Sequence, residues 1–158
     1  MKKLLKLLEK DAHISAGELA LMCEKEEGDI KKMIEDFEAR GVILGYTTII
    51  DWDKTDTEYV NALIELKVTP RVGSGYDEIA ERIYNYPEVE SVYLMSGGYD
   101  LTVMLRGKTM REVAIFVAAK LATIEAVTST ATLFVLRKYK DHNVIFGGAP
   151  VDERGNIL

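Results

Sequence analysis

The sequence predicts an α+β protein in two parts: a three-helix bundle, then a four-stranded antiparallel sheet carrying two helices in the order β-α-β-β-α-β. Three observations predict it. Apolar residues recur at helical spacing in three short blocks before residue 40. The pattern switches to strict alternation at Tyr59–Thr69. Strand-like and helix-like blocks then follow one another up to Tyr139.

Leu4, Leu5, Leu7 and Leu8 crowd one side of a first helix that stops near Asp11. Ser15 and Glu18 stand at capping-box spacing, the serine able to satisfy a free N–H and the glutamate able to reach back. They open a second helix through Leu19, Ala20 and Met22, which turns near Cys23–Lys25. Ile30, Met33, Ile34 and Phe37 place a third helix over 30–40 that runs into Gly41, followed by a short apolar strand. Such a bundle is a winged helix-turn-helix, with the third helix offered to a DNA groove.

Residues 46–51 read as an exposed strand or arm, and Asp51–Glu58 as a polar linker. In Tyr59–Thr69, the alternating Val60, Ala62, Ile64, Leu66 and Val68 share one face, and Pro70 ends the strand. Ser74 with Asp77 caps a helix carrying Tyr76, Ile79, Ala80 and Ile83, with Pro87 beyond its end. Strands follow at Val89–Met95 and Leu101–Arg106. Thr109–Thr123 is helical, with Met110, Val113, Ala114, Val117 and Leu121 in one stripe, and Thr128–Tyr139 closes as a strand. This is the ferredoxin-like βαββαβ sandwich. The expected division is 1–45 winged helix-turn-helix, 46–58 arm and linker, 59–140 ferredoxin-like domain and 141–158 tail. In the tail Val144-Ile145-Phe146 could add a short strand, while Gly147-Gly148 and the charged end point to loose structure.

At 158 residues and 47% apolar, the chain suits one large domain or two small ones with a real core. No apolar run reaches bilayer length, and the leucines after Met1-Lys2-Lys3 are interrupted too soon for a signal peptide. Cys23 is the only cysteine, which excludes an internal disulfide and makes the reducing cytoplasm the expected compartment. The net charge of −6 is shared: residues 1–45 carry eight basic and ten acidic groups, so the helical part is no basic module. From Glu26 to Arg40 six acids (Glu26, Glu27, Asp29, Glu35, Asp36, Glu38) face only Lys31, Lys32 and Arg40. A DNA reader is normally cationic, because phosphate neutralisation supplies most of its non-specific affinity.

Three stretches carry a resemblance over nearly the whole chain. They are Leu4-Leu5…Leu8…Asp11-Ala12-His13-Ile14-Ser15, Phe37-Glu38…Gly41-Val42-Ile43…Gly45-Tyr46-Thr47, and Gly97-Gly98-Tyr99-Asp100. In order and spacing they resemble the leucine-responsive/AsnC (Lrp/AsnC) regulator family: first helix and turn, recognition-helix end and wing, and the turn before the third strand of the effector domain. The resemblance implies a transcriptional regulator that binds double-stranded DNA; Lys2, Lys3, Lys6, Lys31, Lys32 and Arg40 are the nearby groups for phosphate, with Lys31, Lys32 and Arg40 the candidate contacts of the reading helix. It also implies a free amino acid as effector, and a homodimer that assembles further. The chain departs from the family in the DNA-reading part. The first helix is expected to be about a turn short, and His13 stands where arginine is common. Glu26-Glu27-Gly28-Asp29 stands where a serine-type cap is usual, and Met33 where arginine is usual. DNA binding is therefore expected to be weak or to depend on assembly. The alternative is an effector-sensing oligomerisation subunit without autonomous DNA binding.

Candidate effector residues are Gly97, Gly98, Tyr99 and Asp100, with Thr128 and Thr130 adding hydroxyls. Glycines admit a ligand carboxylate to the backbone, Asp100 can accept an ammonium group, and Tyr99 offers a wall. Paired glycines also serve plain hairpins, and alternating threonines are ordinary strand residues. Trp52, Tyr46 and Ile49–Ile50 are expected to pair an arm with the same arm of a second chain. No catalytic constellation, metal site or cofactor motif is read from the sequence: the two histidines, His13 and His142, are widely separated. A sirohaem-decarboxylase-like enzyme, which resembles the same two-domain architecture, is the remaining enzymatic alternative, without residues placed for a tetrapyrrole's carboxylates.

Overall fold

Four leucines on one short helix set the first core. In the computed structural model, which describes residues 2–69 and 75–147, α1 (Lys2–Lys10) buries Leu4 completely and packs Leu5, Leu7 and Leu8 half-buried around it. α2 (Ala16–Cys23) opens on the expected capping box: the Glu18 N–H donates to Ser15 Oγ at 3.2 Å, and the Ser15 N–H donates to Glu18 Oε2 at 3.0 Å. The Ser15 hydroxyl and then its N–H hold the Glu18 carboxyl below the usual glutamate range. A lowered carboxyl pKa adds stability above the unfolded-state value and loses it as pH falls through the folded one. The melting difference between wild type and Glu18→Gln is therefore expected to shrink steadily from about pH 6 to about pH 3, a range that brackets the usual glutamate pKa of about 4.3. A constant difference across that range would contradict it.

α3 (Glu27–Ala39) starts ahead of the expected 30–40 stretch and sends Ile30 and Phe37 into the core, with Met33 and Ile34 at its margin. Its end is governed by Gly41, whose φ of 65° is the left-handed conformation glycine adopts without penalty. The chain thereby doubles back, and the Val42 and Ile43 N–H groups both donate to the Phe37 carbonyl, at 2.8 and 3.1 Å.

Within the chain residues 42–50 make no ladder, so the short strand expected after Gly41 does not form; the arm at 46–51 is expected to find its neighbour in a second chain. A strand needs a neighbour for its N–H and C=O groups, and none of the described residues supplies one here. Trp52 also departs from the expected arm. It lies in a single 3₁₀ turn, Trp52–Lys54, with its ring edge-on to Tyr59 at 5.1 Å between centroids.

The second core is a sheet core. β1 (Val60–Val68) buries Ala62, Ile64, Leu66 and Val68, as the alternation requires. β2 (Val89–Leu94), β3 (Leu101–Gly107) and β4 (Val127–Phe134) join it in an antiparallel sheet of order β2-β3-β1-β4. α4 (Asp77–Tyr84) and α5 (Met110–Phe116) cover one face with Ile79, Ile83, Val113 and Phe116. Gly107 permits the close approach of α5: a Cβ there would lie 2.9 Å from Val113 Cγ2. The strand stop at Pro70 and the cap at Ser74 lie outside the described residues, as do Gly148 and the charged end.

Two expectations shift in detail. The stripe on 109–123 is corrected: Met110 and Ala114 are exposed, and Phe116 and Ile124 take their place in the core. α5 passes into a π-turn over Val117–Leu121, which re-phases the face it presents. The last strand stops at Phe134 instead of reaching Tyr139; the chain then forms a small hairpin, β5 (Lys140–Asp141) with β6 (Val144–Ile145). His142 and Asn143 both take positive φ at its two-residue turn. The chain forms two compact units, residues 1–49 and 50–158.

Candidate functional site

The turn Ser96–Asp100 joins β2 to β3, and Asp100 is the residue that holds it. The Asp100 N–H donates to the Leu66 carbonyl at 2.9 Å, and its own carbonyl accepts from Met95 N–H at 2.8 Å. Its carboxylate reaches sideways to β1, where Oδ2 accepts the Val68 N–H at 2.9 Å. On the other edge of β1, its pairing with β4 slips register between Lys67 and Val68. Asp100 Oδ1 has no partner among the described residues.

Lys67, which sequence reasoning missed, completes the turn. Its ammonium group donates to the Gly98 carbonyl at 2.8 Å, and its own carbonyl accepts from the Thr128 hydroxyl at 3.2 Å. Only the register could have revealed it, because a lone lysine at a strand end has no distinguishing pattern. The structure thus brings Gly98, Asp100 and Thr128 together around Lys67. Tyr99 is half-buried within the turn. Thr130 is placed differently. It pairs with Leu66 and so shares the helix-covered face, whereas Lys67 and Ser129 pair on the open face.

Gly97 and Gly98 have ordinary φ values, and nothing lies within 4 Å of where a Cβ would stand on either. The chain's own packing therefore makes no demand for glycine at either position. The two leave an exposed stretch of bare backbone beside an ammonium group and a carboxylate.

A separate cavity in this unit lies elsewhere. It measures about 690 Å³ and is lined by Tyr59, Leu105, Arg106, Lys108, Phe116 and Lys120, among others. It sits at the Gly107 end of β3, about 20 Å along the strand from the turn. Arg106 there is already engaged, 2.6 Å from Glu90 and stacked 5.1 Å over the Tyr59 ring.

On α3 the three candidate DNA contacts differ. Lys31 is ion-paired to Glu27, one helical turn back, and Arg40 is 2.8 Å from Asp36 in the same relation. Lys32 has no ion pair among the described residues. Glu26 precedes the helix without capping it through its side chain. The Tyr46 hydroxyl donates to Glu38 at 2.8 Å; that bond, then partial burial, raises its pKa above the ordinary tyrosine value.

Residues 61–145 match the Lrp/AsnC ligand binding domain. The uncharacterized HTH-type transcriptional regulator YugG of Bacillus subtilis (strain 168) is 44% identical over 96% of this chain and 92% of its own length. The HTH-type transcriptional regulator FL11 of Pyrococcus horikoshii is 31% identical over 89% of each chain. The transcriptional regulator NMB0573 of Neisseria meningitidis, solved as a complex with L-Met, shares the fold. Its TM-score is 0.70 at 19% identity, over 88% of this chain and 89% of that one. No helix among the described residues is long and apolar enough to cross a membrane. The two-core architecture, the βαββαβ order and a domain match over more than half the residues converge: the chain belongs to the Lrp/AsnC family of HTH-type transcriptional regulators.

Proposed function

We propose that this regulator acts in the cytoplasm, without enzymatic activity. It binds double-stranded DNA through residues 1–45 and senses a small free amino acid at the turn Gly97–Asp100. The observation that carries the effector site is the pairing of bare glycine backbone with the Lys67 ammonium group and a carboxylate oxygen on Asp100 that has no partner among the described residues. A zwitterion needs both charges answered within a few ångströms, and Lys67 suits its carboxylate as Asp100 suits its ammonium group. The L-Met complex of the structurally similar NMB0573 supports the ligand class. Thr128 belongs to this site through Lys67; Thr130 is kept as a lining residue from the other face of the sheet.

Asp100→Asn tests the site, because an amide oxygen still accepts the Val68 N–H while the charge is gone. Across a screen of the common amino acids, at least one is expected to raise the wild-type melting temperature, since a ligand that binds only the native state stabilises it. Asp100→Asn is expected to melt near the wild type and to lose that rise. No rise with any amino acid in the wild type would refute the effector reading.

The second reading, a sensing subunit without autonomous DNA binding, is favoured by the self-paired cations of α3. Enrichment of genomic fragments by the purified protein at low salt separates the two: specific fragments support the DNA reader, and none leaves the sensor.

A further inference from the structure

Charges on a helix have a structural explanation when they favour the helix, and those of α3 do. Glu27 and Asp29 sit in its first turn, where the backbone dipole favours anions. Glu27 with Lys31 and Asp36 with Arg40 are acid-before-base pairs one turn apart, the stabilising arrangement. α1 obeys the opposite rule. Lys2 and Lys3 lie in its first turn, which contains no acid, so the dipole opposes them. Lys2, Lys6 and Lys10 follow one another at four-residue spacing, so neighbouring like charges repel along the helix.

At 3.6 residues per turn Lys2, Lys3, Lys6 and Lys10 fall within an arc of about 100°, a stripe about 12 Å long. All four are exposed and none has an ion pair among the described residues. The stripe borders the segment after α3: Lys6 lines the same cleft as Val42, Leu44 and Tyr46. Lys10, in the last turn, is favoured by the dipole, and Glu9 is the only acid of α1; Lys2 and Lys3, set against the dipole at the other end, are where a binding role is expected.

We infer that the lysine stripe of α1, and not the recognition helix, supplies this protein's phosphate contacts on duplex DNA. The inference rests on the DNA-binding reading above and names the surface that performs it. Four free cations along about 12 Å match a polyanion with one phosphate per 3.4 Å of each strand. An anionic membrane fits less well, because an interfacial helix needs a free apolar face and these leucines are turned to the core. Lys31 and Arg40 stay with their acids and only Lys32 is left over, so α3, with its acid excess, approaches the groove with little net attraction of its own.

The experiment is the salt dependence of binding to a 30-base-pair duplex of mixed sequence, using the full chain. The variant K2Q/K3Q/K6Q/K10Q is expected to flatten the logarithmic salt slope by about 3 to 4 per bound chain, at about 0.9 per lost phosphate contact. Its melting temperature is expected at or above wild type, because opposing charges have been removed. K2R/K3R/K6R/K10R should keep the wild-type slope, and K31Q/R40Q should change it by less than about one. A K31Q/R40Q variant that flattens the slope while the α1 variant does not would overturn the inference and leave the DNA reading intact. Wild-type protein that binds no duplex at low salt would overturn both. Binding to phosphatidylserine vesicles with no binding to duplex would overturn it in favour of a membrane.

Discussion

Phe37→Ala is expected to unfold residues 1–49 while residues 50–158 stay folded. Phe37 is 2% exposed and is the largest side chain in a core whose fully buried members are Leu4, Leu19, Ala20, Ile30 and Phe37. Truncating a buried phenylalanine costs about 3–5 kcal/mol, and a core of this size supplies no more than about 3–5 kcal/mol of net stability. The loss therefore matches the whole reserve of the unit. The second unit has its own cluster, which includes none of these residues. Calorimetry should show an early transition lost and a later one kept, with DNA binding abolished and amino-acid binding retained. A single transition lowered as one piece would mean that the units do not fold independently.

Leu133→Glu is expected to turn an assembled protein into a monomer. One rung of the open sheet face carries Leu63, Met104 and Leu133 with Ser91, and the next carries Tyr93, Thr102, Glu65 and Ala131. Leu133 is 49% exposed in the single chain, so a charge there costs the monomer less than about 0.5 kcal/mol. Between two sheets the same carboxylate would be buried without a partner, at several kcal/mol. Each 1.4 kcal/mol is tenfold, so association is expected to weaken at least about a hundredfold. Light scattering at micromolar concentration checks this. A wild-type protein that is already monomeric, or a variant that stays assembled, would remove the open face as the contact.

Much of the fold was legible because each pattern reports a local requirement. Alternation on β1 marks a half-covered sheet, and the Ser15–Glu18 spacing closes a capping box within three residues. Leu4, Ile30 and Phe37 fall at the spacing a core-facing helix must have, and Gly41 stands where the chain must take positive φ. The misplaced elements depend on something outside their own sequence. Residues 42–50 have strand-like composition but no neighbouring strand in the chain, and composition cannot create one. Thr109–Thr123 has a helical stripe, but α5 turns Phe116 to the core and Met110 to solvent, and the π-turn at Val117–Leu121 re-phases the face beyond it.

The candidate site divides in the same way. By itself the sequence determined the two-part α+β architecture, the acid excess on α3 and the glycine pair beside Asp100, because composition and spacing are local. Only the tertiary structure decided that Asp100 spends one carboxylate oxygen on Val68 of a distant strand. It alone brought Lys67 to Gly98 and turned Thr130 to the other face of the sheet. It also separated Lys31 and Arg40 of α3, each paired with an acid, from the α1 stripe, which has no ion pair among the described residues, since a charge count cannot tell a neutralised lysine from a free one. Strand register and side-chain pairing join residues far apart in the chain, and no local pattern encodes which of them will meet.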